Sequence, residues 1–215
     1  MGLQQTMELA GALQPYVDAM TALCIEGRYA DYHVQNPNRV FSKTTDTRNT
    51  LKLWKIENAD GLKEALEWFL AEGMRKEFAD LGGTLSVLKA EKRAGYIEET
   101  QDPVLRHKLS VANQYLGRLP AGGIAAYDCS WGVFISCAAR KMVYLTEQER
   151  WDYVARFVAL AKENYSDWND YTAGFAAGAA YAFGQKRSSY ISDNQAVFAK
   201  LLRSRFSPFR KVQLN

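Results

Sequence analysis

Apolar positions recur at three- and four-residue spacing along most of the chain, and no segment sustains an apolar/polar alternation rich in β-branched residues. That pattern predicts an all-α fold. One stretch is different in kind. Gly122 to Tyr144, GGIAAYDCSWGVFISCAARKMVY, is apolar on every side and too long for a strand. It predicts a buried central helix, about 122–144, with the other helices packed around it as a single-domain bundle. Its interior carries one formal charge, Asp128, before Arg140 and Lys141 arrive at the C-terminal end, where cations favour the helix dipole.

The flanking segments follow the amphipathic rule. Leu9, Leu13, Tyr16, Val17, Met20 and Leu23 place a first helix over Leu3 to Glu26, kinked or started by Pro15 and ended by Gly27. Residues 28–49 show no period and predict the longest irregular connection, followed by a short helix or turn at Leu51 to Ile56. Asn58 and Asp60 are N-cap types ahead of Leu62, Ala65, Leu66, Phe69 and Leu70 on one face. Gly73 punctuates that helix, and Met74 to Leu88 continue with a weak point at Gly82 and Gly83. The charged run Lys89 to Asp102 predicts a solvated helix end and loop; Pro103 suits a first helical position and Pro120 a stop.

Downstream of the central helix, Thr146 and Glu149 form a capping box for a helix through Asn164. Ser166 is the expected cap of SDWNDYTAGFAAGAAYAFG, whose Gly174 and Gly178 lie one turn apart. Gly in a helix interior is unfavourable unless it lets another backbone approach, so this helix is expected directly against the central one. Ser192 with Gln195 predicts the start of a last helix, ended by Pro208.

Composition adds a core and a compartment. With 215 residues, 47% of them hydrophobic, the chain can bury one sizeable core, read as one domain over 1–215. The opening MGLQQTMELAG has no basic, apolar and small-residue order of an export signal, which predicts a cytoplasmic protein. A membrane span over 119–139 is rejected on Asp128, the paired glycines and Ser130 and Ser136. Cys24, Cys129 and Cys137 make an odd count without a CxxC, and the last two would lie about 12 Å apart along one helix. They read as buried thiols. His33 and His107 are isolated from other ligand types, so no metal site and no cofactor is expected.

The net charge of +3 conceals an asymmetry. From Gln185 onward Lys186, Arg187, Lys200, Arg203, Arg205, Arg210 and Lys211 face a single acid, Asp193, so a basic segment 185–215 follows a body close to neutral.

Candidate chemistry is sparse. Asp128 is the one candidate catalytic group, a buried acid beside Tyr127 and Trp131; its structural alternative is a carboxylate held by Arg75, Arg140 or a helix N-terminus. No GxxxxGK[ST], GxGxxG or HExxH is present. Two surfaces are candidate binding sites. One is the acidic face of Glu64, Glu67, Glu72 and Glu77. The other is the tail, with Arg203, Arg205, Phe206, Phe209, Arg210 and Lys211, which suits phosphates and bases, an acidic protein, or simple anchoring of the C-terminal segment by its rings.

The stretches LKLWKIENADGLKEALEWFLAEGMRKEF (51–78) and AYDCSWGVFISCAARKMVYLTEQERWDYVARFVALAKENYSDWNDYTAGFAAGAAYAFG (126–184) resemble an uncharacterised bacterial domain of unknown function, the type found in the enterobacterial proteins YbeU and YbeR. Asp128, Arg75, Trp168 and Gly178 keep the pattern. The resemblance implies His at Met74, Arg at Trp131 and Arg at Ala179, so any inherited ionic cluster around Asp128 lacks several partners in this chain. The function expected from the whole is a non-catalytic bacterial interaction protein, in particular an immunity protein that binds and neutralises a cognate toxin. An enzyme using Asp128 in an interhelical pocket and a nucleic-acid binder using the tail are the alternatives.

Overall fold

The computed structural model describes residues 3–25, 36, 39, 41, 44–183 and 190–215. Gly27, His33, Lys186, Arg187 and most of the expected irregular connection lie outside them. The described residues form helices joined by turns, with no strand among them. In chain order the elements are α1 (Leu3–Ala22), α2 (Thr44–Leu53), α3 (Ala59–Ala71), α4 (Gly73–Ser86), α5 (Ala90–Glu99), α6 (Pro103–Tyr115), α7 (Ala125–Lys141), α8 (Glu147–Asn164), α9 (Trp168–Phe183), α10 (Tyr190–Arg203) and a 3₁₀ turn (Pro208–Arg210).

The central helix is α7, three residues shorter at each end than the apolar stretch that marks it. Every residue from Ala125 to Ala139 is buried. Helices α1, α2, α3, α4, α8 and α9 all pack against it, which is why its sequence has no polar face. Shortening moves Asp128 from mid-helix into the first turn.

Around that axis the local signals act as expected in several places. Asn58 caps α3 by accepting from the Gly61 amide at 2.8 Å. Asp102 caps α6 ahead of Pro103. At α8 the capping box is complete, with Thr146 and Glu149 each accepting the other's amide. The interior of α9 meets α7 through its glycines: a Cβ built on Gly178 would lie 2.4 Å from the Tyr127 Cβ, and one on Gly174 2.7 Å from the Gly123 carbonyl oxygen.

Other expectations are corrected. α1 ends at Ala22 rather than Glu26 and runs unbroken through Pro15. The Gly11 carbonyl that Pro15 cannot satisfy belongs to an exposed residue, where water can serve it. Residues 44–49, expected irregular, belong to α2; Thr47 and Leu51 are buried one turn apart, so a polar residue occupies a core position that periodicity does not register. The run Lys89 to Asp102 contains a separate helix, α5, anchored by Ile97 against Leu85, Leu109 and Ala112. α4 is continuous through Gly82 and Gly83. α6 stops at Tyr115, ahead of the turn at Leu116 to Leu119. Asp167 caps α9 in place of Ser166, accepting from the amides of Asn169 and Asp170 at 2.7 and 2.9 Å. α10 begins at Tyr190, two residues before Ser192, and ends at Arg203; Pro208 opens the 3₁₀ turn instead of closing the helix.

Among the described residues two satellite clusters add to the interior. Leu85, Ile97, Leu109 and Ala112 close α4, α5 and α6 on one another. Val111, Ile124, Ala177 and Tyr181 fasten that layer to α9 and the start of α7. Past α10 the chain returns over α1 and the α8–α9 corner: Phe209 stacks on Trp168 at 4.7 Å with the rings nearly parallel, Trp168 Nε1 donates to the Val212 carbonyl at 2.9 Å, and Asn215 donates to the carbonyls of Lys162 and Tyr165.

Candidate functional site

Asp128 sits where α7 crosses the joint between α3 and α4. The chain changes direction at Glu72 and Gly73, and Gly73 takes the left-handed conformation (φ 57°) that L side chains avoid. The turn aims the first amides of α4 at α7. Met74 N donates to Asp128 Oδ1 at 2.9 Å, Arg75 N donates to Oδ2 at 3.1 Å, and Arg75 Nη1 reaches the same oxygen at 3.2 Å. The remaining guanidinium donors close the end of α3, giving 2.6 Å bonds to the Phe69 and Leu70 carbonyls.

One carboxylate thus caps the start of α4 while its partner arginine caps the end of α3. Gly73 is part of the fit as well as of the turn, because a Cβ there would lie 2.2 Å from Asp128 Oδ2. Arg140, the other expected partner, is at the far end of α7 and pairs with Glu147 at 3.3 Å.

Electrostatically the acid is in tension. Full burial pushes its carboxyl up from 3.8 to about 6, against the pull of the two α4 amides and of Arg75. Its neighbours offer no reactive pair. Tyr127 and Trp131 belong to an aromatic cluster: Trp131 is 5.4 Å from Trp54, 6.2 Å from Tyr127 and 5.4 Å from Phe134, ring centre to ring centre. Where the resemblance implies a guanidinium at 131 there is an indole, whose buried Nε1 has no hydrogen-bond partner. Burial pushes the Cys129 thiol far above the ordinary range and Cys137 up to about 11, so both stay protonated. Among the described residues no three His, Cys, Asp or Glu side chains gather into a metal site.

The candidate binding surfaces separate on inspection. On the acidic face, Glu67 makes a two-pronged pair with Arg156 at 2.6 and 2.7 Å, and Glu77 pairs with Lys108 at 2.6 Å. Glu72 pairs with Lys76 at 3.5 Å. Glu64 is exposed. The face is therefore largely neutralised within the molecule. In the tail the two phenylalanines take opposite roles: Phe209 is buried on Trp168, whereas Phe206 is 70% exposed with the Arg205 guanidinium over its ring at 4.6 Å. Arg203, Arg205, Arg210 and Lys211 are exposed along the same segment.

Several contributors have no signature in the sequence. The backbone carbonyls of Phe69 and Leu70 are visible only once Arg75 is placed. The same is true of Tyr165, whose hydroxyl accepts from Ala126 N at 2.9 Å and reaches the Gly122 and Gly123 carbonyls, thereby closing the start of α7. Gly73 had a signal, a glycine between two apolar-periodic runs, but only as punctuation.

A fold of this class, a helical bundle about an apolar axis with one buried acid at a helix joint, fits a family defined by its sequence pattern. The family model described as Protein of unknown function (DUF1266) matches residues 52–214, and the chain belongs to that family. The match takes in the joint, the axis and the Trp168 anchor, and leaves α1 outside. No curated protein and no solved structure matches the chain. Among the described residues no helix is long and apolar enough to cross a membrane.

Proposed function

We propose that this protein works by binding another protein, without catalysis of its own, and that its docking surface is the basic, aromatic end of the chain. The observation that carries the reading is Phe206: a large ring 70% exposed, on a segment that is otherwise firmly held, within a group of exposed cations. An anchored segment presents such a ring without the ordering cost that a loose tail would incur on binding. Aromatic and arginine side chains are the usual centres of interfaces.

The partner chemistry this fits is an acidic protein surface. Nucleic acid is the lesser fit, since Phe209 is engaged by Trp168 and is not free to stack on a base, and Asp167 shares a surface cleft with Arg210. Asp128, with both oxygens engaged by α4 and Arg75, supports a structural rather than an enzymatic role. In its particular form the proposal is an immunity protein of bacterial origin, of the YbeU and YbeR type, whose partner is a cognate toxin.

The test is direct binding between the purified protein and the product of the neighbouring gene, with growth rescue as the biological readout. Arg205→Glu with Phe206→Ala is expected to weaken the complex at least about tenfold while leaving the melting temperature unchanged. No complex and no rescue would refute the toxin-binding form. Retardation of DNA or RNA at low salt, lost in the same variant, would favour the nucleic-acid alternative instead.

A further inference from the structure

A second site lies on the opposite side of α7, at its C-terminal end. A cleft of about 440 Å³ opens between α1, the end of α7 and the first turn of α8, lined by Gln14, Asp18, Cys137, Arg140, Lys141 and Arg150, with Val17, Thr21 and Phe41 completing its walls. That volume is in the range of small-molecule sites. Three cations and one acid line it.

The cationic side is built rather than incidental. Arg150 is 6% exposed, sits over the Trp151 ring with its guanidinium carbon 3.9 Å from the ring centre, and gives one nitrogen to Glu147 at 2.5 Å. A second nitrogen meets only the Cys137 sulfur at 3.9 Å, and Nε has no partner. A guanidinium that is nine-tenths buried with an unmet donor is costly without a further acceptor. Arg140 shares Glu147 with it at 3.3 Å, so that one carboxylate serves two guanidiniums. Lys141 is exposed and adds a third positive group.

The acidic side is weaker. Burial pushes the Asp18 carboxyl up, against the pull of the Gln14 amide, which donates to it at 2.7 Å, and of the Lys211 charge. Val17 and the Phe41 ring, itself edge-on to Phe134 at 4.8 Å, supply an apolar wall. The surplus of positive charge and the apolar wall together define the ligand.

We infer that this cleft binds a small organic anion, a phosphate or carboxylate group on a compact apolar body, with the charged end against Arg140, Lys141 and Arg150 and the body against Val17 and Phe41. The site is separate from the Asp128 joint and from Phe206, and meets the basic tail only through Lys211 beside Asp18. It gives the molecule a way to register a metabolite that neither of those regions provides.

Phenyl phosphate and inorganic phosphate are the probes, titrated against the full chain while the Trp151 emission and the Arg150 Nε–H resonance are followed. Saturable binding of phenyl phosphate is expected, with inorganic phosphate weaker by about tenfold or more for lack of the apolar contact. Arg140→Gln with Lys141→Gln, both at exposed positions, should weaken phenyl phosphate by about tenfold at an unchanged melting temperature. Arg150→Lys tests the planar group; should that variant fail to fold, the double variant alone decides. Absence of saturation by phenyl phosphate at millimolar concentration, or equal affinity in the double variant, overturns the proposal. Equal affinity for the two probes removes the apolar body from it.

Discussion

Gly73 and Asp128 form a pair in which each residue constrains the other. Gly73→Ala would set a Cβ 2.2 Å from the carboxylate in a backbone conformation unsuited to L residues. It should cost at least about 2 kcal/mol in a urea melt, and stability within experimental error of the parent would show that the joint is looser than described. Asp128→Asn keeps one acceptor but turns an amide NH₂ toward donors already there, for a loss of about 2 kcal/mol. The titration of Asp128 has a definite sign. Because the carboxyl is raised in the folded state from 3.8 to about 6, between about pH 4 and 6 the folded chain holds a proton that the unfolded chain has released. Stability contributed by this group is therefore fully present below about pH 4, falls as pH rises to 6, and is level beyond. Measured as parent minus Asp128→Asn, the stability difference should shrink across that window. A difference that grows there would mean the Arg75 pair outweighs burial.

At the scale of elements, the glycines divide by what faces them. Gly178→Leu should force α9 from α7 and cost on the order of 1–3 kcal/mol or more, and Gly132, where a Cβ would lie 2.2 Å from the Phe157 ring, belongs to the same group. Gly83, exposed on α4 with nothing within 4 Å of such a Cβ, is the opposite case. Gly83→Ala should raise stability by about 0.5–1 kcal/mol through helix propensity alone, and thermal melts of the two variants side by side would check the ordering. This contrast also marks how far the sequence can be read. The apolar axis, the capping box at Thr146 and the close approach at Gly178 are local or periodic signals, and they were legible. α5 was not, because a single anchor, Ile97, carries a helix whose charges look like a loop. The first turns of α2, residues 44–49, read as irregular because the buried Thr47 is polar. Arg75 was legible as one partner for Asp128, but its second task at the end of α3 depends on how two helices meet, and no spacing encodes that.

For the molecule as a whole, the segment after α10 acts as a fastening between α1 and the α8–α9 corner. Phe209→Ala should cost about 3 kcal/mol, as loss of a well-packed aromatic ring does. Phe206→Ala, with its ring in solvent, should change stability by no more than about 0.5 kcal/mol. Denaturant midpoints of the two variants test the division of labour between anchoring and docking, and a large loss at Phe206 would remove the proposed docking surface.

The position of α1 sets the order in which the chain can become stable during synthesis. Leu13, Val17 and Met20 of α1 find their cover in the core built on α7 and α8, elements that leave the ribosome more than a hundred residues later. At about 5–20 residues per second that stripe stays open to the cell for on the order of ten seconds. α1 is thus secured only after α7 and α8 are made, and nascent chains arrested before α8 should be caught by hydrophobic-segment chaperones at α1, whereas chains arrested after it should be released.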